Sequence, residues 1–227
     1  MVVWERPEPP SRPALAPLSR ERIVRAAIEL ADADGLDAVS LRKIATALDV
    51  GPMRLYGYIE SKEELLDLMV DAAHAEIRPT GDGWREVLGS LAHAMRHVVH
   101  RHEWLADLLG GRPQLGPNAL ATAESVMAAL GDIGVDSAMP VVSAVNAYTI
   151  GAVRREIAER RAERATGLDE KRWHATLGPY LQRSFATGKL PALATVVHDA
   201  VHLTADETFR IGLDFLLDGI GARVSAP

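Results

Sequence analysis

The stretch VSLRKIATALDVGPMRLYGYIESK, Val39 to Lys62, decides the fold. Leu41, Ile44, Ala45 and Leu48 recur at helical spacing and give a first short helix one apolar face. Ser40 stands where an N-cap belongs. Asp49-Val50-Gly51 breaks the pattern, and Gly51 suits a turn. A second helix of about two turns is expected from Pro52 to Tyr58, with Pro52 tolerated in its first turn. Leu55 and Ile59 point inward on this reading, leaving Arg54, Tyr56 and Tyr58 outside. An outward face of arginine and tyrosine on a short second helix is what a DNA reader presents to phosphates and base edges.

Working outward, Leu41-Arg42-Lys43-Ile44-Ala45, Leu48, Val50, Leu55-Tyr56, Tyr58-Ile59 and Lys62 followed by Leu65-Leu66 carry a likeness. The stretch resembles the helix-turn-helix of the tetracycline-repressor family of transcription regulators. Its specific part is Leu55-Tyr56, an aromatic at 58, Ile59 and Lys62, running straight into another helix. The resemblance implies an all-α fold, with a three-helix DNA-binding head over residues 19–62 joined by a helix to a ligand-binding and dimerisation domain over 63–227. It implies a homodimeric repressor that binds a palindromic operator on double-stranded DNA and is released by a small organic effector. Arg42, Pro52, Met53, Arg54, Tyr56, Tyr58 and Lys62 fall on positions that touch DNA in the family. Tyr56 and Lys62 are expected on phosphates, Met53, Arg54 and Tyr58 on base edges, and Pro52 in apolar contact. Pro52-Met53 departs from the polar-plus-proline pair of founding members, so a different operator is expected.

Composition fits this reading. The chain has 227 residues, 48% of them apolar, enough for a substantial core. It has no cysteine, which excludes disulfides, a thiolate nucleophile and cysteine-based zinc sites. No apolar run is long enough to span a bilayer, and MVVWERPEPPSRPALAP lacks a signal-peptide core, so a cytoplasmic location without membrane association is expected. The net charge of −6 is unevenly placed. Residues 1–62 hold nine basic and nine acidic residues, and the remaining 16 basic and 22 acidic lie in the body. Arg42, Lys43, Arg54 and Lys62 gather at the reading helices, and a local basic face binds DNA on a globally acidic chain.

Residues 1–18 are proline-rich and read as a disordered arm, the alternative being a minor-groove arm using Arg6 or Arg12. Ser19 caps the first long helix, whose buried stripe is Ile23, Ala26, Ala27 and Leu30. Ser61 with Glu64 forms a capping box for a fourth helix running to about Arg78. A fifth helix is expected from Trp84 to His102, short helical segments near 104–109 and 118–132, and a long eighth helix over 136–165 that begins apolar and ends charged from Arg154 to Arg164. That charged end reads as a solvated face with i,i+4 pairs. A helix over 170–186 precedes a loop holding Gly188 and Pro191. Thr204 and Glu207 box the last helix, and no strand alternation is visible.

The resemblance extends to Val142–Val153, to the Gly110-x-Arg112-Pro113 turn and to Gly212-Leu213-Asp214-Phe215 near the end. In founding members a histidine, a threonine and a glutamate anchor a magnesium–tetracycline chelate. Those positions fall on Leu108, Gly111 and Arg155, none of which holds a cation, and a further pocket histidine falls on Arg78. A different, more apolar ligand is therefore expected near Leu91, Met95, Leu108, Arg112, Met139, Val142 and Asn146, with no metal and no cofactor. His93, His97 and His100, and the pair His198 and His202, have spacings that can share a metal, but they read as polar helix faces or pocket lining. The eighth and last helices carry spare apolar surface for a twofold homodimer. Two other classes stay open. An all-helical small-molecule enzyme would need a cofactor or nucleophile motif, and no G-x-G-x-x-G, P-loop or G-x-S-x-G is present. A DNA-binding protein without an effector would not need so large a helical body.

Overall fold

The computed structural model of the chain describes residues 2–10, 18–111 and 115–224. Among the described residues every regular element is helical. Helix α1 (Arg20–Asp34) opens on Ser19, whose hydroxyl accepts from the Arg22 N–H at 3.2 Å. It closes at Gly35, which adopts φ 79° and returns its N–H to Ala31. Helices α2 (Leu41–Ala47) and α3 (Pro52–Leu55) form the hairpin, and α4 (Lys62–His74) follows. Ile23, Ala27, Ile44, Ala45, Leu55, Ile59, Leu65 and Met69 are fully buried where α1, α2, α3 and α4 meet. That apolar set is why the short α2 and α3 hold: neither is long enough to be stable alone.

The body is built on α5 (Trp84–Arg101) against α8 (Val135–Thr166), with α11 (Ala205–Val224) packed on both. Leu88, Val98, Val145, Val153, Ile157, Phe209 and Leu213 are buried between them. The short α6 (Leu105–Leu108) packs on α8, α7 (Pro117–Ala129) packs on α4 and α5, and α9 (Glu170–Ala186) and α10 (Pro191–Asp199) complete the chain before α11. Buried Met69, Val70, Ala73 and Ile77 carry one continuous core from the head into the body.

Several expectations need correction. Helix α4 ends at His74 rather than Arg78; Ile77 N–H already closes a tighter turn on the His74 carbonyl. Ser61 caps α4 as expected, accepting from Glu64 N–H at 3.1 Å, but the Glu64 carboxylate accepts from Glu60 N–H at 2.9 Å instead of Ser61 N–H. The expected loop around Pro191 contains α10, which starts on that proline in its first turn. His198 lies in α10 and His202 beyond its end, so their spacing no longer places them on one helical face. The arm is not disordered over residues 2–10. Val3–Glu5 forms a single helical turn with Val3 buried, and Arg6 is held by acidic partners on the head. Arg12 lies outside the described residues, as does Arg112 of the expected ligand site.

Candidate DNA-reading head and ligand cavity

Ser40 caps α2 by accepting from Lys43 N–H at 3.3 Å. The turn that follows places Asp49, not Gly51, in the left-handed region, with φ 53°. Aspartate tolerates that conformation because its short polar chain bonds locally. Gly51 is extended and serves as the N-cap of α3. Helix α3 is shorter than expected. It gives way after Leu55 to turns in which Tyr58 N–H and Ile59 N–H both reach the Leu55 carbonyl at 2.9 Å.

On the outer side Met53 is 79% exposed and Tyr56 50% exposed. Arg42, Lys43, Pro52 and Lys62 are exposed, and Arg54 is half-buried. Tyr58 is the exception to the expected reading face. It is only 6% exposed, because the helix ends before position 58 and the chain turns its ring into the core. Arg42, Pro52, Met53, Tyr56 and Lys62 are thus open to solvent, and Arg54 is partly so.

The body encloses a cavity of about 590 Å³. Of the expected ligand residues, Leu91, Met95, Leu108, Met139, Val142 and Asn146 line it. Sequence reasoning missed the wall that α7 supplies through Ala119, Thr122, Ala123 and Val126. Their i, i+3, i+4, i+7 spacing was the available signal, but alanine and threonine do not mark a core stripe strongly. His74, Ile77 and Ser143 were missed as well. The lining is mostly apolar with a few hydroxyl, amide and imidazole groups, the usual make-up of an organic-ligand site.

Three sets of polar contacts tie this cavity to the rest of the molecule. First, the Asp71 carboxylate of α4, 6% exposed, accepts from Asn118 N–H, Ala119 N–H and the Asn118 side-chain amide, each at 3.0 Å. Asp71 thus caps the N-terminus of α7, and a Cβ on Gly116 would lie 2.2 Å from its Oδ1. Second, Asp32 at the end of α1 accepts from Trp104 Nε1–H at 2.7 Å and lies 2.8 Å from His102 Nδ1, while His102 Nε2 lies 3.3 Å from Glu76. Third, arginines of α8 grip α6. Arg154 donates to the carbonyls of Ala106 and Leu109, Arg161 to both Asp107 oxygens at 2.9 and 2.8 Å, and Arg164 to Glu103. The charged end of α8 is the solvent-exposed face expected, and its Arg154, Arg161 and Arg164 in addition bind α6 and the residues flanking it.

Residues 23–69 match the tetR family of bacterial regulatory proteins, and residues 78–224 match the tetracyclin repressor-like C-terminal domain. The chain belongs to the tetracycline-repressor family. It is thereby a helix-turn-helix regulator of transcription with a ligand-binding body. Among tetracycline-repressor family relatives, it is 34% identical to the transcriptional repressor DrrR1 of Streptomyces coeruleorubidus, over 99% of this chain and 85% of that protein. It is 26% identical to the class E tetracycline repressor protein of Escherichia coli, over 92% and 94% of the two chains. The structure of ActR from Streptomyces coelicolor in complex with actinorhodin superposes with a TM-score of 0.78 at 27% identity, covering 93% of this chain and 100% of that one.

Against the tetracycline-repressor pattern, the three positions matching metal anchors divide. Leu108 and Gly111 line the cavity, whereas Arg155 is exposed and does not. Arg78 lies outside the cavity too, donating to the Ala75 carbonyl at 3.3 Å. The histidine that α4 contributes is His74, four residues earlier than the position read from sequence. Its Nδ1 sits 2.9 Å from the Val70 carbonyl. A carbonyl only accepts, so Nδ1 is the donor in this contact. Among the described residues no three His, Asp or Glu side chains gather to hold a metal. His93 packs edge-on against Phe209 and His100 meets Glu156, so these two α5 histidines serve separate contacts.

Proposed function

We propose that this chain is a homodimeric repressor that binds a palindromic operator and is released by a mainly apolar organic effector without magnesium. The observation that carries the reading is the 590 Å³ cavity, walled by α5, α6, α7 and α8, with leucine and glycine where a chelated cation needs ligands. The neighbour that holds actinorhodin supports an organic effector. Support for a second copy comes from surface that one chain leaves bare. Phe215 on α11 is 72% exposed, and among the described side chains α9 and α10 bury no residue while presenting Trp173, Tyr180, Leu193 and Val196. Covered by a partner, those faces set two reading heads at successive turns of DNA, and the operator is then palindromic. Such a regulator acts in the cytoplasm, where its operator lies.

The effector acts by binding the DNA-free arrangement better. A coupling of about 1–3 kcal/mol lowers operator affinity roughly 5–150-fold, and the operator weakens the effector equally. The deciding experiment is an operator-release titration with and without a chelator. Release is expected to be unchanged by chelation, with two chains bound per duplex. Release that vanishes on chelation and returns with magnesium sinks the metal-free reading, and one chain per duplex sinks the dimer.

At the reading face, Arg54 is assigned to a base edge and Tyr56 and Lys62 to phosphates. Arg54→Ala is expected to cost about 1–3 kcal/mol and to relax selectivity at one base pair. Binding measured on a panel of single-base operator variants checks this. An equal loss on every sequence reassigns Arg54 to a phosphate.

A further inference from the structure

We propose that residues 2–10 form a strap that holds the DNA-reading turn and neutralises its acidic side, with Arg6 as the positioning residue. The strap lies against the link between α3 and α4. Val3 is 4% exposed, and its turn packs on α4. The Arg6 guanidinium donates to both Glu64 oxygens, at 3.0 and 2.7 Å, and to the Tyr58 carbonyl at 3.2 Å; it also pairs with Glu60 at 2.8 Å. Arg20 of α1 binds the same Tyr58 carbonyl at 3.3 Å and the Arg6 carbonyl at 3.0 Å, while Glu8 accepts from Arg20 N–H at 3.0 Å. Pro9 crosses Gly57 so closely that a Cβ there would lie 3.2 Å from the proline ring.

The consequence concerns charge beside DNA. The link held by the strap is bounded by Tyr56 and Lys62, the two groups assigned to phosphates. Between and just beyond them stand Glu60 and Glu64, whose carboxylates repel a phosphate chain. Arg6 sits between the two acids with a side chain only 15% exposed, so it is committed to them rather than offered to a ligand. Its hydrogen bonds also hold the Glu64 carboxyl below the usual carboxylate range. The inference rests on the DNA-binding reading of the head. It replaces the direct minor-groove role for Arg6 with an indirect one, through Glu60, Glu64 and the Tyr58 carbonyl.

The experiment measures binding to a 30-base-pair duplex of mixed sequence by fluorescence anisotropy across a salt series. Arg6→Ala is expected to weaken binding about five- to tenfold at low salt, with the gap narrowing as salt screens the exposed acids. Adding Glu60→Gln and Glu64→Gln to Arg6→Ala is expected to restore wild-type affinity, because the amides keep acceptor oxygens without the charge. Thermal melts of each variant separate this from loss of fold, since a merely structural arginine lowers the midpoint without rescue by the two glutamines. If Arg6 touches phosphate directly, the triple variant stays weak and its salt slope falls by about one contact, overturning the proposal. Wild-type-like binding by Arg6→Ala overturns it as well. Failure of the wild-type chain to bind any duplex instead removes the DNA reading on which it rests.

Discussion

Asp71→Ala lowers the unfolding free energy by about 3–5 kcal/mol. The expectation follows from what the carboxylate satisfies. Asn118 N–H and Ala119 N–H are first-turn donors of α7 that have no partner within their own helix. Removing their acceptor from a site that is 6% exposed leaves both without a partner, at about 1–3 kcal/mol each. The loss of a negative group at the positive end of a helix adds up to about 2 kcal/mol. Asp71→Asn keeps one oxygen for the two backbone donors but turns an amide toward the Asn118 amide, so a smaller loss of about 1–2 kcal/mol is expected. Gly116→Ala acts on the same contact from the other side, since its Cβ would lie 2.2 Å from Oδ1 and 2.3 Å from Cγ of Asp71. Urea denaturation followed by circular dichroism gives the three differences. A midpoint for Asp71→Ala within about 1 kcal/mol of wild type would mean that water replaces the carboxylate and that α7 is not pinned to α4. Because α7 forms a wall of the cavity, the same variants alter the volume open to the effector.

The parts of this molecule legible in the sequence are those with strong local signals. Serine caps at 19, 40 and 61, the apolar spacing of α2 and the length of α8 were all readable, and the helical hairpin followed from them. The cavity was half legible. Leucine and methionine at 91, 95, 108 and 139 stand out, whereas the small residues of α7 do not announce a wall. Two misreadings share one physical cause. Tyr58 was placed outside by continuing α3 at helical spacing, and Arg78 was matched to a pocket position of the resembled family at the end of a fourth helix expected to run that far. In each case the helix ends earlier and the backbone turns, so the angular position of every later residue changes. The arm escaped for another reason. Proline richness argues for disorder when no partner is known, and the partners of Arg6 lie more than fifty residues away at Tyr58, Glu60 and Glu64. Long-range polar pairs such as Asp32–His102 and Asp107–Arg161 are invisible to periodicity altogether.

His102→Ala is expected to reduce operator affinity about tenfold while leaving most of the chain folded. His102 is 4% exposed and stands at the entry to α6, between Asp32 of the head and Glu76 just after α4. A protonated imidazole donates to both carboxylates, whereas a neutral one donates to a single carboxylate and ties head to body only when that carboxylate is Asp32. Its neighbour Trp104 adds a second bond to Asp32, which leaves the junction weakened rather than broken in the variant. If removing the ring lets the DNA-competent orientation fall to about a tenth of the population, apparent affinity falls by the same factor. Arg154 of α8 holds the carbonyls of Ala106 and Leu109, and Leu108 and Leu109 line the cavity, so an effector that displaced them would be expected to shift α6 and His102 with it. On that account His102→Ala is expected to shrink the effector's influence on operator binding as well as the resting affinity. Anisotropy titrations on the operator, well below the melting temperature and with far-ultraviolet circular dichroism confirming the fold, separate orientation from unfolding. Wild-type affinity together with an undiminished effector response would show that α4 alone links cavity to head, and that the contact between α1 and α6 is only packing.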